Sequence, residues 1–258
     1  MKVHVINLKG SVDRRRSIES QLQKLKISYE IIEAVDGSAL SDEDLRDKAD
    51  MKEVEKYPEW LTPNVIATSL SHMSVYKHIC NSTDEWHLIL EDDVILAENV
   101  KSVLQHVEIN TEVYKDRVVL LYGLMYKGKI ELSKDSLTKC EGFNIYKILS
   151  REEMGGAGAY IIHKDTARLF LQKNDKIKVA ADAWYFFYQQ GVCTQVDCVY
   201  PFAAKPGLFE STIGYVNKST LTYKIKHFIE KNKFPILYSL LRRKRKAIWE
   251  KTSKVVLK

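Results

Sequence analysis

The sequence predicts an α/β domain on a largely parallel sheet, followed by a basic helical tail. Three observations predict it. Strand-like apolar segments alternate with amphipathic helical segments through the first half of the chain, the pattern of strands joined by crossover helices, with both sheet faces covered. The 258 residues, 45% hydrophobic and 29% charged, suffice for one full core. The charge is unevenly placed: residues 218–258 carry 13 Lys or Arg and 2 Glu, so the remainder is mildly acidic although the whole chain is +6. The one boundary is drawn near residue 216, giving a domain over 1–216 and a tail over 217–258.

The elements follow in order. "VHVINL" (3–8) is β-branched, bounded by "KGS", and reads as a short buried strand. "RRRSIESQLQKLKI" places Ile18, Leu22 and Leu25 at helical spacing. "SYEIIEAVDG" is a second strand ending in an Asp-Gly turn, and "SDEDLRDKADMKEVEKY" a solvated helix. The spacing of Leu70, Met73, Val75, Tyr76 and Ile79 predicts a helix over 68–79, and "WHLILEDDVIL" (86–96) a third strand. "DRVVLLYG" (116–123) is a fourth strand, and "KIELSK" with "NIYKILS" a hairpin or irregular insertion. "GGAGAYIIHKDTARLFL" (155–171) gives a Gly-rich turn, a strand and a helix that Asp165 can cap. A short helix, "DAWYFFYQQG", and a last strand with a polar loop, "VDCVYPFAAKPGLFESTIG", complete the domain.

Several classes are disfavoured. The spacing of Cys80, Cys140, Cys193 and Cys198 fits no zinc motif and reads as four reduced thiols of a cytosolic protein. The opening "MKVHVINLKG" is interrupted by His4 and Asn7 and does not read as a signal peptide. No run approaches the length of a membrane span.

The informative stretch is Glu91-Asp92-Asp93, set between Leu88-Ile89-Leu90 and Val94-Ile95-Leu96. Burying unpaired carboxylates is costly, so apolar flanks on both sides ask for a compensating charge. Alternation along a strand puts Glu91 and Asp93 on one face and Asp92 on the other. Two carboxylates at the carboxyl end of a strand suit Mg²⁺ or Mn²⁺, completed by phosphate oxygens; a solvated turn with caps and salt bridges is the competing reading. Arg14, Arg15 and Arg16 follow the first strand, where guanidinium forks can match phosphate or simply form a solvated face. Asp36-Gly37 ends the second strand, as a ribose contact or as a plain turn.

In this order, "VHVINLKGSVDRR", "EAVDG", "IATSLSHMSVYKHI", "LILEDDVIL", "GAGAYIIHKDTARLFL" and "VYPFAAKPGLFESTIG" resemble glycosyltransferase family 25 from about residue 2 to 214. That family includes bacterial lipooligosaccharide galactosyltransferases and resembles collagen galactosyltransferase domains. The resemblance implies a GT-A, Rossmann-like fold, a UDP-sugar donor, a divalent cation (Mn²⁺ or Mg²⁺) and inversion at the sugar carbon. It puts Glu91 and Asp93 in the DXD-like metal place with Asp92 between them. Asn7, Leu8 and Arg14 match "INL…DR", Ala34, Asp36 and Gly37 the next element, and Ser71 with His72 "LSH". These, with Arg15 and Asp92, form the expected donor site. The chain departs from the pattern at Lys9-Gly10, where many members have an arginine, and at Val65 and Ala67, which lack the usual acid and glycine.

Single displacement also needs a base for the acceptor hydroxyl, and Asp182 in "VAADAWYFFY" is the candidate; capping the helix it begins is its other reading. The expected activity is β-galactosyl transfer from UDP-galactose to a lipooligosaccharide core. Alternatives are UDP-glucose or a UDP-N-acetylhexosamine on the same fold, or a non-catalytic lipid- or nucleic-acid-binding protein. In the tail, Pro235 divides two helices. In the second, Leu237, Leu240, Leu241 and Ile248 lie roughly on one side, Arg242, Arg243, Arg245 and Lys246 lie towards the others, and Trp249 suits the headgroup level. That pattern leads us to expect peripheral docking on the anionic cytoplasmic face of an inner membrane, with a glycolipid acceptor and no nucleic acid.

Overall fold

The computed structural model describes residues 1–125, 127–207 and 234–258, with Phe209, Ile225, Phe228, Ile229 and Asn232 between the last two segments. The chain opens with β1 (Lys2–Asn7), α1 (Val12–Lys24), β2 (Glu30–Glu33), α2 (Asp42–Lys48), α3 (Met51–Lys56), α4 (Pro63–Asn81) and β3 (Trp86–Glu91). It continues with β4 (Val94–Leu96), α5 (Val100–Ile109), α6 (Thr111–Tyr114), β5 (Arg117–Leu120), β6 (Leu124–Met125), β7 (Ile130–Cys140) and β8 (Phe143–Ile148). Then come β9 (Met154–Gly155), β10 (Ala159–His163), α7 (Lys164–Lys173), α8 (Trp184–Gln189), β11 (Gln195–Tyr200), β12 (Ala204–Pro206), α9 (Pro235–Thr252) and β13 (Val255–Leu257).

Nine strands form one sheet in the order β13-β7-β8-β11-β5-β10-β3-β1-β2. The pairings set seven of them in one direction, with β8 and β10 reversed, so the sheet is mostly parallel as expected. Period-two alternation divides the core. Ile6, Ile89, Leu120 and Tyr160 face Val75, Tyr76 and Ile79 of α4 and Phe170 of α7. Val3, Val5, Leu88, Leu90 and Ile161 face Ile18 and Leu22 of α1 and Val100, Val103 and Val107 of α5.

Four details differ from the sequence reading. The charged 41–57 segment is two helices: Ser41 caps α2 with a capping box, Asp50 caps α3, and the break between them pairs with the chain at Ile177. The 86–96 strand is broken by a turn at Asp92–Asp93. The cap of α7 is His163, whose Nδ1 accepts from the Asp165 N–H at 3.2 Å; Asp165 sits within the first turn. Finally, β13 pairs with β7, so a segment set apart at residue 216 ends inside the main sheet. The polar loop 208–214 apart from Phe209 and most of the stretch from 215 to 233 lie outside the described residues. Cys80, Cys193 and Cys198 are free, the last two buried. No helix among the described residues is long and apolar enough to cross a membrane.

Candidate active site

The acid stretch lies where β3 leaves the sheet. Ile6 is in register with Glu91, so Asn7 and Asp92 are the next residues out on adjacent parallel strands. Alternation holds through Glu91 and Asp92: Glu91 turns to α4 and Asp92 to α1. It ends there, because Asp93 belongs to the turn.

Asp92 is buried and both its oxygens are engaged. Asn7 Nδ2 donates to Oδ2 at 2.7 Å and Arg14 Nη1 to Oδ1 at 3.0 Å. The same Arg14 nitrogen lies 3.4 Å from Asp93 Oδ2, which bridges the two acids. The Phe209 ring lies 5.8 Å from the Arg14 guanidinium carbon. Burial raises the Asp92 pKa, opposed by Arg14 and Asn7. Burial also holds Asp93 well above the ordinary carboxylate range; Arg14 opposes this, while Glu91 and Asp92 add to it.

Glu91 is met from α4. His72 Nε2 lies 3.3 Å from Glu91 Oε1, and His72 Nδ1 lies 2.8 Å from Tyr160 Oη, itself 2.8 Å from Tyr76 Oη. A carboxylate accepts, so His72 Nε2 is the donor. A neutral ring then accepts at Nδ1 from Tyr160, whose oxygen accepts from Tyr76. This buried chain fixes one tautomer and aims it at Glu91. Tyr76 shares the His72 face of α4 because it is one turn on.

Asp182 does not cap α8, which has no side-chain cap; its Oδ2 accepts from the Gly156 N–H at 3.0 Å. Burial raises its pKa, Gly156 opposes, and the Glu91 charge adds to the rise. Gly155 allows this approach, since a Cβ there would lie 2.8 Å from Asp182 Oδ2. All three acids act on Tyr122: burial raises its pKa strongly, and the charges of Glu91, Asp93 and Asp182 raise it further.

The other expected donor residues are placed as follows. Leu8 closes a turn by accepting from the Ser11 N–H at 2.7 Å, and Ala34 N–H donates to the Asn7 carbonyl at 2.9 Å. Asp36 is exposed and accepts from Ser38 N–H at 2.8 Å and Ser38 Oγ at 2.6 Å, a local Asx-type turn. A Cβ at Gly37 would strike the Asn64 backbone, so glycine lets this loop touch the start of α4. Ser71 Oγ accepts from Val35 N–H at 2.9 Å and donates to Ala67 O, fixing the same loop. Arg15 does not join the acids: it pairs with Glu19 at 3.0 Å on the exposed side of α1. Tyr76, Tyr122 and Tyr160 were missed by sequence reasoning. The helical spacing from His72 could have found Tyr76; nothing local singles out the other two.

The sequence profile of glycosyltransferase family 25 (LPS biosynthesis protein) matches residues 1–185. Procollagen galactosyltransferase 2 of Homo sapiens is 32% identical over 136 residues, covering 50% of this chain and 20% of that protein, so the chain matches only a fifth of its length. A Haemophilus influenzae protein provisionally named a glycosyltransferase is 24% identical over 242 residues, covering 87% of this chain and 82% of its own. Among solved structures, apo UDP-glucose pyrophosphorylase overlays with a TM-score of 0.44 at 12% identity, covering 88% of this chain and 99% of that one. With most of its length matched by the family profile, the chain belongs to glycosyltransferase family 25.

Proposed function

We propose that this chain is an enzyme of glycosyl transfer, using a UDP-sugar donor and a divalent cation, Mn²⁺ or Mg²⁺, with inversion at the sugar carbon. In its specific form the reading is β-galactosyl transfer from UDP-galactose to a lipooligosaccharide core, at the cytoplasmic face of an inner membrane. One observation carries it: the acid stretch Glu91–Asp93 lies at the carboxyl end of β3, the usual ligand end of such strands, and the charges of Glu91, Asp93 and Asp182 all act on one buried phenol, Tyr122.

The donor set suits a hard cation. Among the described residues Arg14 is the guanidinium that meets Asp92 and Asp93, and burial still raises the Asp93 pKa. Among the described residues no three His, Cys, Asp or Glu side chains form a complete ligand set, and a cation completed by diphosphate oxygens needs none. Glu91 and Asp93 would hold it, and when bound it supplies Lewis-acid stabilisation of the leaving diphosphate. His72 orients Glu91, and Arg14 sets the acid turn through Asp92 and Asp93. Asp182 takes the acceptor proton as the hydroxyl oxygen bonds to the anomeric carbon and the bond to UDP breaks. Its raised pKa brings this base closer to neutral operating pH.

Asp93→Ala tests the reading. A carboxylate held above its ordinary pKa costs folding free energy at neutral pH, so its removal should not destabilise the fold. Metal-dependent UDP release from UDP-sugars should disappear. Normal turnover by this variant removes the metal assignment. If the wild type releases no UDP at any Mn²⁺ concentration, with galactosides, glucosides or N-acetylglucosaminides present, a binding role replaces catalysis. A UDP-sugar screen separates UDP-galactose from UDP-glucose and UDP-N-acetylhexosamine.

A further inference from the structure

The inward side of α9 is formed by Tyr238, Leu241, Arg245, Trp249 and Thr252, all at least partly covered. Trp249, expected at a headgroup level, instead packs inward: its ring lies 5.7 Å from that of Tyr122 and 5.6 Å from that of Phe202. The helix is thus docked by one face. At about 100° per residue, Ile236, Leu237, Leu240 and Ile248 share an arc that is outermost at Ile236 and Leu240 and runs at Leu237 and Ile248 to the flank beside Leu241. They are 77%, 47%, 53% and 52% exposed. Arg242, Arg243 and Lys246 fill a flank between the two faces, and Lys244 lies within the apolar arc; all four are exposed.

We propose that this outward face of α9 docks on an anionic lipid surface. Four large aliphatic side chains in water, flanked by cations, match the acyl–headgroup boundary of such a surface, where lysine stems can lie along apolar ground while their charges reach phosphate. A second copy of the chain fits less well, because pairing these faces would bring two cationic flanks together. Nucleic acid would use the cations and leave the aliphatic arc without a purpose. The helix is about one helix diameter, roughly 10 Å, thick. Its inner face touches Tyr122, a phenol on which the charges of Glu91, Asp93 and Asp182 all act. Docking would therefore hold the acid site close to the lipid headgroups, within reach of a lipid-anchored acceptor. That last consequence rests on the glycosyl-transfer reading; the lipid contact does not.

The test is co-sedimentation of the full chain with vesicles of phosphatidylcholine, with and without phosphatidylglycerol. Binding should require phosphatidylglycerol and weaken with salt. The triple variant Arg242→Glu, Arg243→Glu, Lys246→Glu should lose on the order of 100-fold in binding. The triple variant Leu237→Ser, Leu240→Ser, Ile248→Ser should also lose binding, at unchanged circular dichroism and unchanged UDP release with a soluble acceptor. Vesicle binding that ignores phosphatidylglycerol, or that survives the serine variant, overturns the proposal. So does a wild-type dimer, seen by sedimentation, that the serine variant converts to monomer without any vesicle binding. Tight oligonucleotide binding in place of vesicle binding overturns it as well. Lipid binding without any UDP release would leave this inference standing and fell the proposed function.

Discussion

Mild acid should destabilise this protein through a histidine pair at the far end of the sheet from the acid site. His4 Nε2 and His87 Nδ1 are 3.0 Å apart, and His87 Nε2 is 3.0 Å from the Asp84 carbonyl oxygen. A carbonyl only accepts, so His87 carries its hydrogen on Nε2 and accepts on Nδ1 from His4 Nε2–H. His4 Nδ1 is left bare, 3.8 Å from a Glu30 oxygen that Lys2 already holds at 2.9 Å. The arrangement works only with both rings neutral. Burial, with its neighbours, lowers the pKa of His4 from 6.5 to about 4, and burial lowers that of His87 from 6.5 to about 4. Both folded values lie below the unfolded ones, so the unfolded chain binds more protons between them. Stability is complete above about pH 6.5, falls as pH drops, and levels out near pH 4. At about pH 5 each ring costs about 2 kcal/mol, up to about 4 kcal/mol for the pair. That is a large part of an ordinary domain's stability of about 5–15 kcal/mol. Urea unfolding followed by tryptophan fluorescence, at about pH 7 and pH 5, measures it against the His4→Gln, His87→Gln double variant, which should lose less on acidification by that amount. Parallel losses in both proteins would refute the reasoning.

Three more expectations concern the site. Tyr160→Phe strips the partner from His72 Nδ1, freeing the ring to present the wrong nitrogen to Glu91. It should cost about 2–4 kcal/mol in urea unfolding and raise the metal concentration needed for half-maximal UDP release. Tyr76→Phe keeps the Tyr160–His72 bond, so it should leave that metal requirement near wild type; an equal rise in both would mean packing rather than orientation. Gly155→Ala should push the Asp182 carboxylate from Gly156 N–H, with stability changed by about 1 kcal/mol or less and turnover sharply reduced. Unchanged turnover there would count against Asp182 as the base.

Much of this was legible in the sequence because it rests on period and punctuation. Apolar, β-branched runs next to turn residues gave β1, β3 and β10, and helical spacing gave α1 and α4, though α4 begins earlier, at Pro63 behind the Thr62 cap. The split of the acid stretch between Glu91 and Asp92 also followed from alternation. What was not legible depends on distant partners. The break between α2 and α3 answers to Ile177, and β13 exists because β7 offers it an edge. Arg14 and Arg15 are equivalent in a one-dimensional reading. Only the turn of α1 decides that one reaches Asp92 while the other meets Glu19.

The placement of Asp92 bears on how an acid-rich turn can be kept at all. A carboxylate cluster awaiting a cation favours any rearrangement that separates its charges. Here the turn is held from outside. Asp92 commits both oxygens to Asn7 and Arg14. Beyond the turn, the Gln21 side chain pairs with β4 as a strand would, donating to Val94 O at 3.0 Å and accepting from Leu96 N–H at 2.9 Å. The Gly207 N–H donates to the Asp93 carbonyl, where a Cβ would not fit. Since Arg14 and Gln21 both stand on α1, one helix fixes the turn through its middle acid and the strand after it. Glu91 and Asp93 are thereby left with oxygens to offer a ligand, while the acid between them serves as the anchor.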